Sequence, residues 1–369
     1  MVQSIVSRGR PCQRPFRRPI VSFATLGDNN KNWYNNQRSS YCRYNTATLS
    51  SFYSSSSFST ANASAYSSSS SVSPLEVNKF SNMSQSWWDP QQNPLISMNA
   101  IRMEYIQQQM IQFKKEQEDM EQTNTGEDNS NDRDDSNTTS SFGTVSTHSL
   151  PLNGFKALDV GCGGGLLSES LARLGAHVTA IDPSMELVQQ AQQHARLHPV
   201  TSTNIMYRGG CTVEQLAQEA KENSFETNEE SNNHLFDIIC LLEVIEHVTD
   251  VESILQATES LLKPNTGRLF ISTLNRTVAS HLVAIVGAEY VFRYLPPGTH
   301  NWDQFQSPEE LHHTMTNLSN NNTTTTTMLR PLHTSGMVMT ALPPIWNWKL
   351  DLHNTGINWI GTYQRTRKQ

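Results

Sequence analysis

The chain of 369 residues contains no apolar run that approaches the roughly 20 residues needed to cross a bilayer, so the sequence predicts no membrane-spanning helix. Cysteine is also scarce. The five thiols show no C-x-x-C pairing, a pattern that favours unpaired cysteines in a reduced compartment. No internal repeat is present, which leaves one main domain and its attached segments to be located.

Residues 1–73 almost lack acidic side chains. They hold eight Arg or Lys but only one acidic residue, Asp28, and they include Ser-rich runs from Ser50 to Ser73. This composition is typical of an organellar transit peptide. The alternative is a disordered basic tail that binds nucleic acid. Because this segment carries +7 in a chain of net charge −7, the remainder carries about −14, which argues against nucleic acid as a partner.

Three polar tracts look inserted rather than folded, because their Asn, Asp, Glu, Ser and Thr residues bury too little apolar surface to offset chain entropy. They are residues 114–149, 221–233 and 316–327. The sequence therefore predicts a transit peptide with a Ser-rich disordered segment at 1–73, one domain at 74–364 that contains these inserts, and a basic tail at 365–369.

The rest of the domain alternates between strand and helix patterns, which predicts an α/β fold with a doubly wound, mostly parallel sheet. A near-continuous apolar run, Phe236 to Leu241, is expected to be a central strand. Two late segments, His333 to Ala341 and Gly356 to Gln364, are expected to pair antiparallel at the sheet edge.

A glycine-rich turn follows the first predicted strand. Gly161, Gly163 and Gly165 allow a sharp turn and a close approach of the backbone to a ligand, and a helix begins at Leu166. Asp182 closes the next strand, 21 residues after Gly161, where a carboxylate can bind ribose hydroxyls. These features predict a nucleoside-cofactor site.

The spacing of the glycines distinguishes between cofactors. A dinucleotide site has the pattern G-x-G-x-x-G, but the position three after Gly163 is Leu166. The pattern G-x-G-x-G favours S-adenosylmethionine and argues against a nicotinamide oxidoreductase. Cys162, inside the loop, is expected to be a small buried filler.

Glu243, Glu246 and His247 follow the central strand directly, where ligands bind in such sheets. At positions i, i+3 and i+4 of one helical turn they would share a face, and two carboxylates with an imidazole suit a divalent ion such as Mg²⁺. The alternative is that Glu243 only contacts the cofactor and His247 only packs. A bound metal would lower the pKa of a substrate hydroxyl group. Without a metal, His247 is the candidate general base that removes the hydroxyl proton.

Two other segments carry candidate functional residues. Trp87-Trp88 is expected to dock over the mouth of the cofactor site, and Arg102 to pair with an amino-acid carboxylate, with a surface salt bridge as the alternative. Ser280 to Gly298 is apolar, aromatic and flanked by Arg293, which suits a membrane interface, although an ordinary core helix has the same composition.

Taken together, these residues resemble the ubiquinone-biosynthesis O-methyltransferases, which are mitochondrial in eukaryotes. The resemblance runs from Trp87 to about Tyr363, the inserts excepted. It is most specific in two segments: Ala284-Ile285-Val286-Gly287-Ala288-Glu289-Tyr290 and Pro297-Gly298-Thr299-His300.

The resemblance implies a seven-stranded, Rossmann-like methyltransferase sheet with an antiparallel edge strand. It also implies site residues by position. The expected S-adenosylmethionine contacts are Arg102, Gly161, Gly163 and Asp182, with Leu242 behind the cofactor. The expected Mg²⁺ ligands are Glu243, Glu246 and His247, and the expected catalytic residues are His247 and Glu243.

The same resemblance implies a reaction and a location. The enzyme would methylate 3,4-dihydroxy-5-polyprenylbenzoate and demethylubiquinol. It would work in the mitochondrial matrix, peripheral on the inner membrane through residues 280–300, within an assembly of other ubiquinone-biosynthesis proteins. The alternatives are another phenol or carbon methyltransferase, and a non-catalytic assembly subunit of the same pathway.

Overall fold

The computed structural model describes residues 71–90, 92–124, 150–227, 234–291, 296–321, 326–341 and 347–368, all within one compact unit, Ser59–Gln369. The strands are β1 (Lys156–Val160), β2 (His177–Asp182), β3 (Ile205–Gly209), β4 (Ile238–Leu242), β5 (Arg268–Leu274), β6 (Thr327–Ala341), β7 (Asn347–Asp351) and β8 (Asn358–Arg367). The helices are α1 (Pro74–Ser81), α2 (Leu95–Asn124), α3 (Leu166–Arg173), α4 (Met185–Ala195), α5 (Pro199–Ser202), α6 (Val213–Thr227), α7 (Val251–Leu261), α8 (Val278–Ser280) and α9 (Pro308–Asn321). A π-helix, His281–Val291, follows α8 directly.

One sheet organises the described residues, with the strand order β3-β2-β1-β4-β5-β8-β6-β7. Strands β1 to β5 pair in parallel, whereas β8 runs antiparallel to both β5 and β6. The predicted doubly wound, mostly parallel sheet and the late antiparallel pair are confirmed. The described sheet has eight strands rather than seven, because β7 pairs with β6 and takes the outer edge.

The centre of the sheet is buried on both faces. Every residue of β4 and of β5 is buried, as expected for parallel strands covered by helices on each side. The helices that cover them begin at residues suited to capping. Ser184 accepts a hydrogen bond from the backbone N–H of Leu187 at the start of α4, and Asp250 accepts one from Ser253 at the start of α7. The carboxyl ends of the parallel strands β1 to β5 lie along one edge of the sheet, and the loops that follow these strands lie at that edge.

The predicted polar inserts begin too early, because helices continue into all three. Helix α2 extends to Asn124, α6 to Thr227 and α9 to Asn321. In the first two tracts, Gln, Glu and Lys are good helix formers, and Gln112–Glu116 and Gln218–Glu222 form i,i+4 hydrogen bonds of 3.0 and 2.8 Å. The third insert also ends too late, because Thr327 begins β6. Residues 125–149, 228–233 and 322–325 lie outside the described residues.

The predicted domain limits also need correction at both ends. Val72 forms a bridge with Val248, and the Ser71 carbonyl accepts a hydrogen bond of 2.7 Å from the Thr249 N–H, so the folded part includes residues assigned to the presequence. At the other end, Arg365 belongs to β8 and donates to the Leu262 carbonyl at 2.8 Å, so most of the predicted basic tail is strand. Backbone pairing holds both segments. Residues 1–70 lie outside the described residues.

Three of the five cysteines lie within the described residues. Cys162, Cys211 and Cys240 are buried and unpaired, whereas Cys12 and Cys42 lie outside the described residues. Within the described ranges, no helix combines the length and the apolarity that crossing a bilayer requires.

The central position of strand β8 can be tested at Trp359. Its side chain is fully buried in β8, and its indole N–H donates to the Gln306 carbonyl at 2.8 Å. We expect Trp359→Ala to lower the free energy of unfolding by about 3–5 kcal/mol, because it leaves a cavity and an unpaired carbonyl. Urea denaturation measures this loss. Leu352→Ala, at a side chain that is 53% exposed, is the control and should change stability by less than about 0.5 kcal/mol. A loss of similar size in both variants would contradict a central β8.

Candidate functional site

The glycine loop after β1 has the backbone that its sequence predicted. Gly161, Gly163 and Gly165 have φ angles of 70°, 53° and 86°, in the left-handed region that glycine tolerates best. Space also requires glycine, because a Cβ on Gly161 would lie 2.8 Å from Cγ2 of Val244. The loop therefore packs directly against the segment that follows β4.

Asp182 lies at the end of β2, beside this loop. Its Oδ2 accepts a hydrogen bond of 2.9 Å from the Gly163 N–H, and its Oδ1 accepts one of 2.8 Å from the Ser184 N–H. Burial raises the pKa of Asp182 to about 6, although both hydrogen bonds act in the opposite direction. Each oxygen has a further lone pair, so the carboxylate can still accept hydrogen bonds from a diol.

The chain reverses sharply at Glu243, immediately after β4. Glu243 has a φ of 56°, an uncommon conformation for a residue with a Cβ, and one that is frequently found at functional sites. The Ser272 hydroxyl donates to Oε1 at 2.7 Å, and the Asn358 amide donates to Oε2 at 3.4 Å. These contacts hold the carboxylate at the carboxyl edge of the sheet.

Arg102 reaches this carboxylate from helix α2. Its Nη2 lies 3.0 Å from Glu243 Oε1, and the two side chains are only 4% and 11% exposed, so the pair is buried and the alternative of a surface salt bridge is wrong. The contact is an ion pair rather than a hydrogen bond. Arg102 Nε and Nη2 have no hydrogen-bond partner among the described residues. The guanidinium thus retains donors for a ligand carboxylate.

Glu246 is buried behind Glu243. The Thr273 hydroxyl donates to its Oε2 at 2.9 Å, whereas Oε1 is buried without a hydrogen-bond partner among the described residues. Burial raises the pKa of Glu246 well above its usual value, and the neighbouring Glu243 raises it further. A cation between the two carboxylates would remove this penalty.

His247 points away from Glu246 towards helix α1. Its Nδ1 lies 3.1 Å from Oε2 of Glu76, and the Phe80 ring packs edge-on with a centroid distance of 4.8 Å. Burial lowers the pKa of His247 even though Glu76 acts to raise it, so the ring is neutral near pH 7. With Nδ1–H donating to Glu76, Nε2 is left as the basic nitrogen.

The prediction that Glu243, Glu246 and His247 share one helical face is wrong. The turn is a 3₁₀ turn, Ile245–His247, and Glu243 precedes it in the left-handed conformation. Adjacent residues of a 3₁₀ turn project about 120° apart, which separates Glu246 from His247. Across the part of the chain that the structure describes, no three His, Cys, Asp or Glu side chains form a metal centre.

Two of the three predicted ligands, Glu243 and Glu246, do suit a divalent ion. The Glu243 and Glu246 carboxyls lie close enough to raise the pKa of Glu246, and Glu246 Oε1 lacks a partner among the described residues. Carboxylate oxygens are the ligands that Mg²⁺ prefers. His247 also has the arrangement of a ligand whose second ring nitrogen is oriented by a carboxylate.

These features surround a cavity of about 110 Å³ between the glycine loop, the turn after β4 and helix α1. The predicted site residues that line it are Gly161, Gly163, Asp182, Glu243 and His247. Arg102, Leu242 and Glu246 are not among the described lining residues. Leu242 is the buried last residue of β4, and the other two lie behind Glu243.

Trp87 lines the cavity, as predicted for this segment, whereas Trp88 packs beside the glycine loop and is not among the described lining residues. A Cβ on Gly163 would fall 2.3 Å from the Trp87 ring, so the indole lies directly on the loop. The Trp88 indole N–H donates to the Gly164 carbonyl at 3.1 Å, and its ring stacks on His194 with a centroid distance of 3.4 Å. The segment that carries Trp87 and Trp88 is thus held by contacts with the loop backbone and with an aromatic ring.

Glu76 is a residue of the site that the sequence did not reveal. It lines the cavity and orients His247, yet the two are separated by 171 positions. Its pKa is lowered, because hydrogen bonds from His247 and Lys79 outweigh the opposite effect of burial. The local sequence offers only one acidic residue in a short polar helix. No spacing rule connects such a residue to His247.

Comparisons with known proteins agree with this geometry. A family model described as a methyltransferase domain matches residues 144–319. The ubiquinone biosynthesis O-methyltransferase of Cereibacter sphaeroides (strain ATCC 17029 / ATH 2.4.9) is 36% identical over 77% of this chain and 93% of its own length. That of Xylella fastidiosa (strain 9a5c) is 38% identical over 64% of this chain and 73% of its own length.

A mitochondrial relative shows the same similarity. The mitochondrial ubiquinone biosynthesis O-methyltransferase of Rattus norvegicus is 34% identical over 79% of this chain and 70% of its own length. The chain belongs to the family of ubiquinone biosynthesis O-methyltransferases.

Proposed function

We propose that the protein is an S-adenosylmethionine-dependent O-methyltransferase that acts on catechol-type polyprenylated intermediates of ubiquinone biosynthesis. The substrates we propose are 3,4-dihydroxy-5-polyprenylbenzoate and demethylubiquinol. The observation that carries this proposal is the meeting of the glycine loop, Asp182 and a carboxylate-held His247 around one cavity, in a chain of this family.

Asp182, in the cavity lining, and Arg102, behind Glu243, suit two parts of S-adenosylmethionine. Asp182 would accept hydrogen bonds from the ribose hydroxyls, and the free donors of Arg102 would bind the amino-acid carboxylate. When bound, the cofactor supplies a methyl group on a positively charged sulfur, whose carbon–sulfur bond breaks as a catechol oxygen attacks the carbon. The protein's main contribution is then to position the oxygen and to remove its proton.

His247 is the group we propose for proton removal. Glu76 fixes the ring through Nδ1, so Nε2 can take the hydroxyl proton as the oxygen attacks. The neutral state favoured by burial is the state that a general base needs. Phe80 packs on the ring edge and restricts its rotation.

We propose that Mg²⁺ assists the reaction, held by Glu243 and Glu246, the two predicted ligands whose carboxyls lie together. Support comes from the two adjacent carboxylates and the unpartnered Glu246 Oε1 among the described residues. When bound, the ion supplies positive charge that lowers the pKa of the catechol hydroxyls and orients both oxygens.

We further propose that the enzyme works in the mitochondrial matrix, peripheral on the inner membrane and together with other ubiquinone-biosynthesis proteins. The mitochondrial relatives support the compartment. The membrane contact would run through residues 280–300, where Leu282, Val283, Val286 and Tyr290 are exposed on the π-helix. Such apolar and aromatic groups suit the interface of a bilayer that holds a lipid substrate.

The proposed reaction can be measured directly on the full chain. Labelled S-adenosylmethionine and a short-chain prenylated 3,4-dihydroxybenzoate should give a labelled methyl ether in the presence of Mg²⁺. Loss of activity with a chelator and recovery with Mg²⁺ would support the metal, whereas activity indifferent to the chelator would leave proton removal to His247 alone. A folded protein that binds the cofactor but methylates no catechol would contradict the proposed function.

We expect Asp182→Ala to weaken S-adenosylmethionine binding by about 10- to 150-fold, because a charge-assisted hydrogen bond contributes about 1.5–3 kcal/mol. Titration calorimetry measures the dissociation constant, and the thermal midpoint reports whether the Gly163 and Ser184 N–H groups tolerate the loss. Asp351→Ala, at the end of β7 and outside the described cavity lining, is the matched control. Unchanged affinity in Asp182→Ala would refute the ribose assignment.

Cofactor affinity should also depend on pH through the same carboxyl. With the pKa of Asp182 in the empty site at about 6, the acceptor carboxylate is present above that pH and is lost as the pH falls through it. We expect affinity to fall by about tenfold from pH 7 to about pH 5, one unit below this pKa. Asp182→Asn should remove this dependence. An identical pH profile in wild type and Asp182→Asn would assign it to another group.

We expect Glu246→Gln to reduce Mg²⁺-stimulated turnover by at least about tenfold, because it removes a charged ligand, while the dissociation constant of the cofactor stays within about twofold. Turnover measured against Mg²⁺ concentration and calorimetry with the cofactor separate the two effects. Glu219→Gln, in a surface ion pair with Arg208, is the control. Equal loss of cofactor binding and turnover would show that Glu246 is structural.

A further inference from the structure

Glu289 is a buried acid in an apolar segment that exposes Leu282, Val286 and Tyr290. It lies in the π-helix, its side chain is fully buried, and it accepts three hydrogen bonds. The donors are the Gly298 N–H at 2.7 Å, the His300 N–H at 2.8 Å and Nδ1 of His300 at 2.9 Å. One carboxylate thus holds both the backbone of the 298–300 loop and the ring of His300.

These contacts decide which nitrogen of His300 is free. The three hydrogen bonds outweigh the effect of burial and lower the pKa of Glu289, so the group is an ionised acceptor. Nδ1 of His300 must then carry the proton that it donates, so in the neutral ring Nε2 is the nitrogen with a lone pair. The ring also packs against Phe305, with a centroid distance of 6.0 Å.

The loop that carries His300 lies beside the proposed catalytic histidine. The centroids of His300 and His247 are 5.9 Å apart. Lys79 of helix α1 donates to the Thr299 carbonyl at 2.8 Å, and the same helix supplies Glu76 to His247. Two imidazoles, each oriented through Nδ1 by a carboxylate, therefore stand next to each other: His247 lines the cavity, and His300 lies directly behind it.

Neighbouring oriented imidazoles match the chemistry of a substrate with two hydroxyls on adjacent carbons. One hydroxyl must face the transferred methyl group and give up its proton, while the other remains a hydroxyl. A site with one polar group would bind the ring in either of two orientations. A second fixed acceptor distinguishes the orientations, because the wrong one leaves a buried polar group unpaired.

We propose that His300, held by Glu289, binds the catechol hydroxyl that is not methylated and so selects the oxygen that faces His247. This inference rests on the proposed O-methyltransferase activity and adds a specificity-determining residue to it. In this arrangement Glu289 is a positioning residue, since it acts through His300. The exposed Leu282, Val286 and Tyr290 on the same π-helix suit a substrate whose polar head enters the site and whose apolar tail stays outside.

Two substitutions separate binding from loop structure. His300→Asn places an amide where Nδ1 lies, so it keeps a donor to Glu289 but lacks the acceptor at Nε2. His300→Gln places its amide near the Nε2 position and should recover part of the function. His313→Asn, on the exposed face of α9, is the matched control.

The assay uses the full chain with labelled S-adenosylmethionine and 3,4-dihydroxybenzoate, whose two mono-methyl ethers are separated by chromatography. We expect His300→Asn to raise KM for the catechol by about tenfold and to increase the share of the minor ether, with cofactor affinity within about twofold of wild type. His300→Gln should lie between His300→Asn and wild type. Glu289→Gln should also shift the ether ratio.

The outcomes separate the inference from the proposed function. Catechol methylation by wild type establishes the function in the same experiment. If it is seen, and His300→Asn keeps the wild-type KM and ether ratio, the role of His300 is refuted. If His300→Asn and Glu289→Gln lose cofactor affinity and thermal stability with an unchanged ether ratio, the pair is only structural and the inference is again refuted. Failure of wild type to methylate any catechol overturns both.

Discussion

The reversal of the chain at Glu243 is the constraint on which the site depends. A left-handed residue at the carboxyl end of β4 sends Val244 against the glycine loop, and the contact leaves no space for a Cβ at Gly161. The same reversal directs the Glu243 carboxylate towards Arg102 and Ser272. Backbone strain at this point is offset by a buried ion pair and hydrogen bonds from two other elements.

Two buried polar groups next to Glu243 lack full hydrogen bonding among the described residues. Glu246 is buried behind Glu243 with one oxygen unpartnered among the described residues, and Arg102 keeps unused donors there. Buried polar groups without partners are poor contributors to stability. In the proposed function, a ligand carboxylate at Arg102 and a cation at the two glutamates would offset this cost.

The sequence predicted the parts of the site that lie on consecutive elements. The glycine loop and Asp182 are joined by one strand–helix–strand unit, so their spacing alone places them together. It could not place Glu76 or pair Glu289 with His300, because those contacts depend on how distant segments pack. The turn of Glu243, Glu246 and His247 shows a different limit: the residues were identified, but helical spacing gave them the wrong directions. The helices that continue into the polar tracts show a third limit. Local helix propensity there outweighs the shortage of apolar residues.

Helix α1 imposes an order on the completion of the enzyme. The helix is made early in the chain, yet Lys79 bonds to Thr299, which lies 220 positions later. Contacts of such long sequence separation form only after the intervening chain has been organised. A folding chain can therefore form the glycine loop and Asp182 before His247 is oriented. The groups proposed for cofactor binding would then be in place before the group proposed for proton removal.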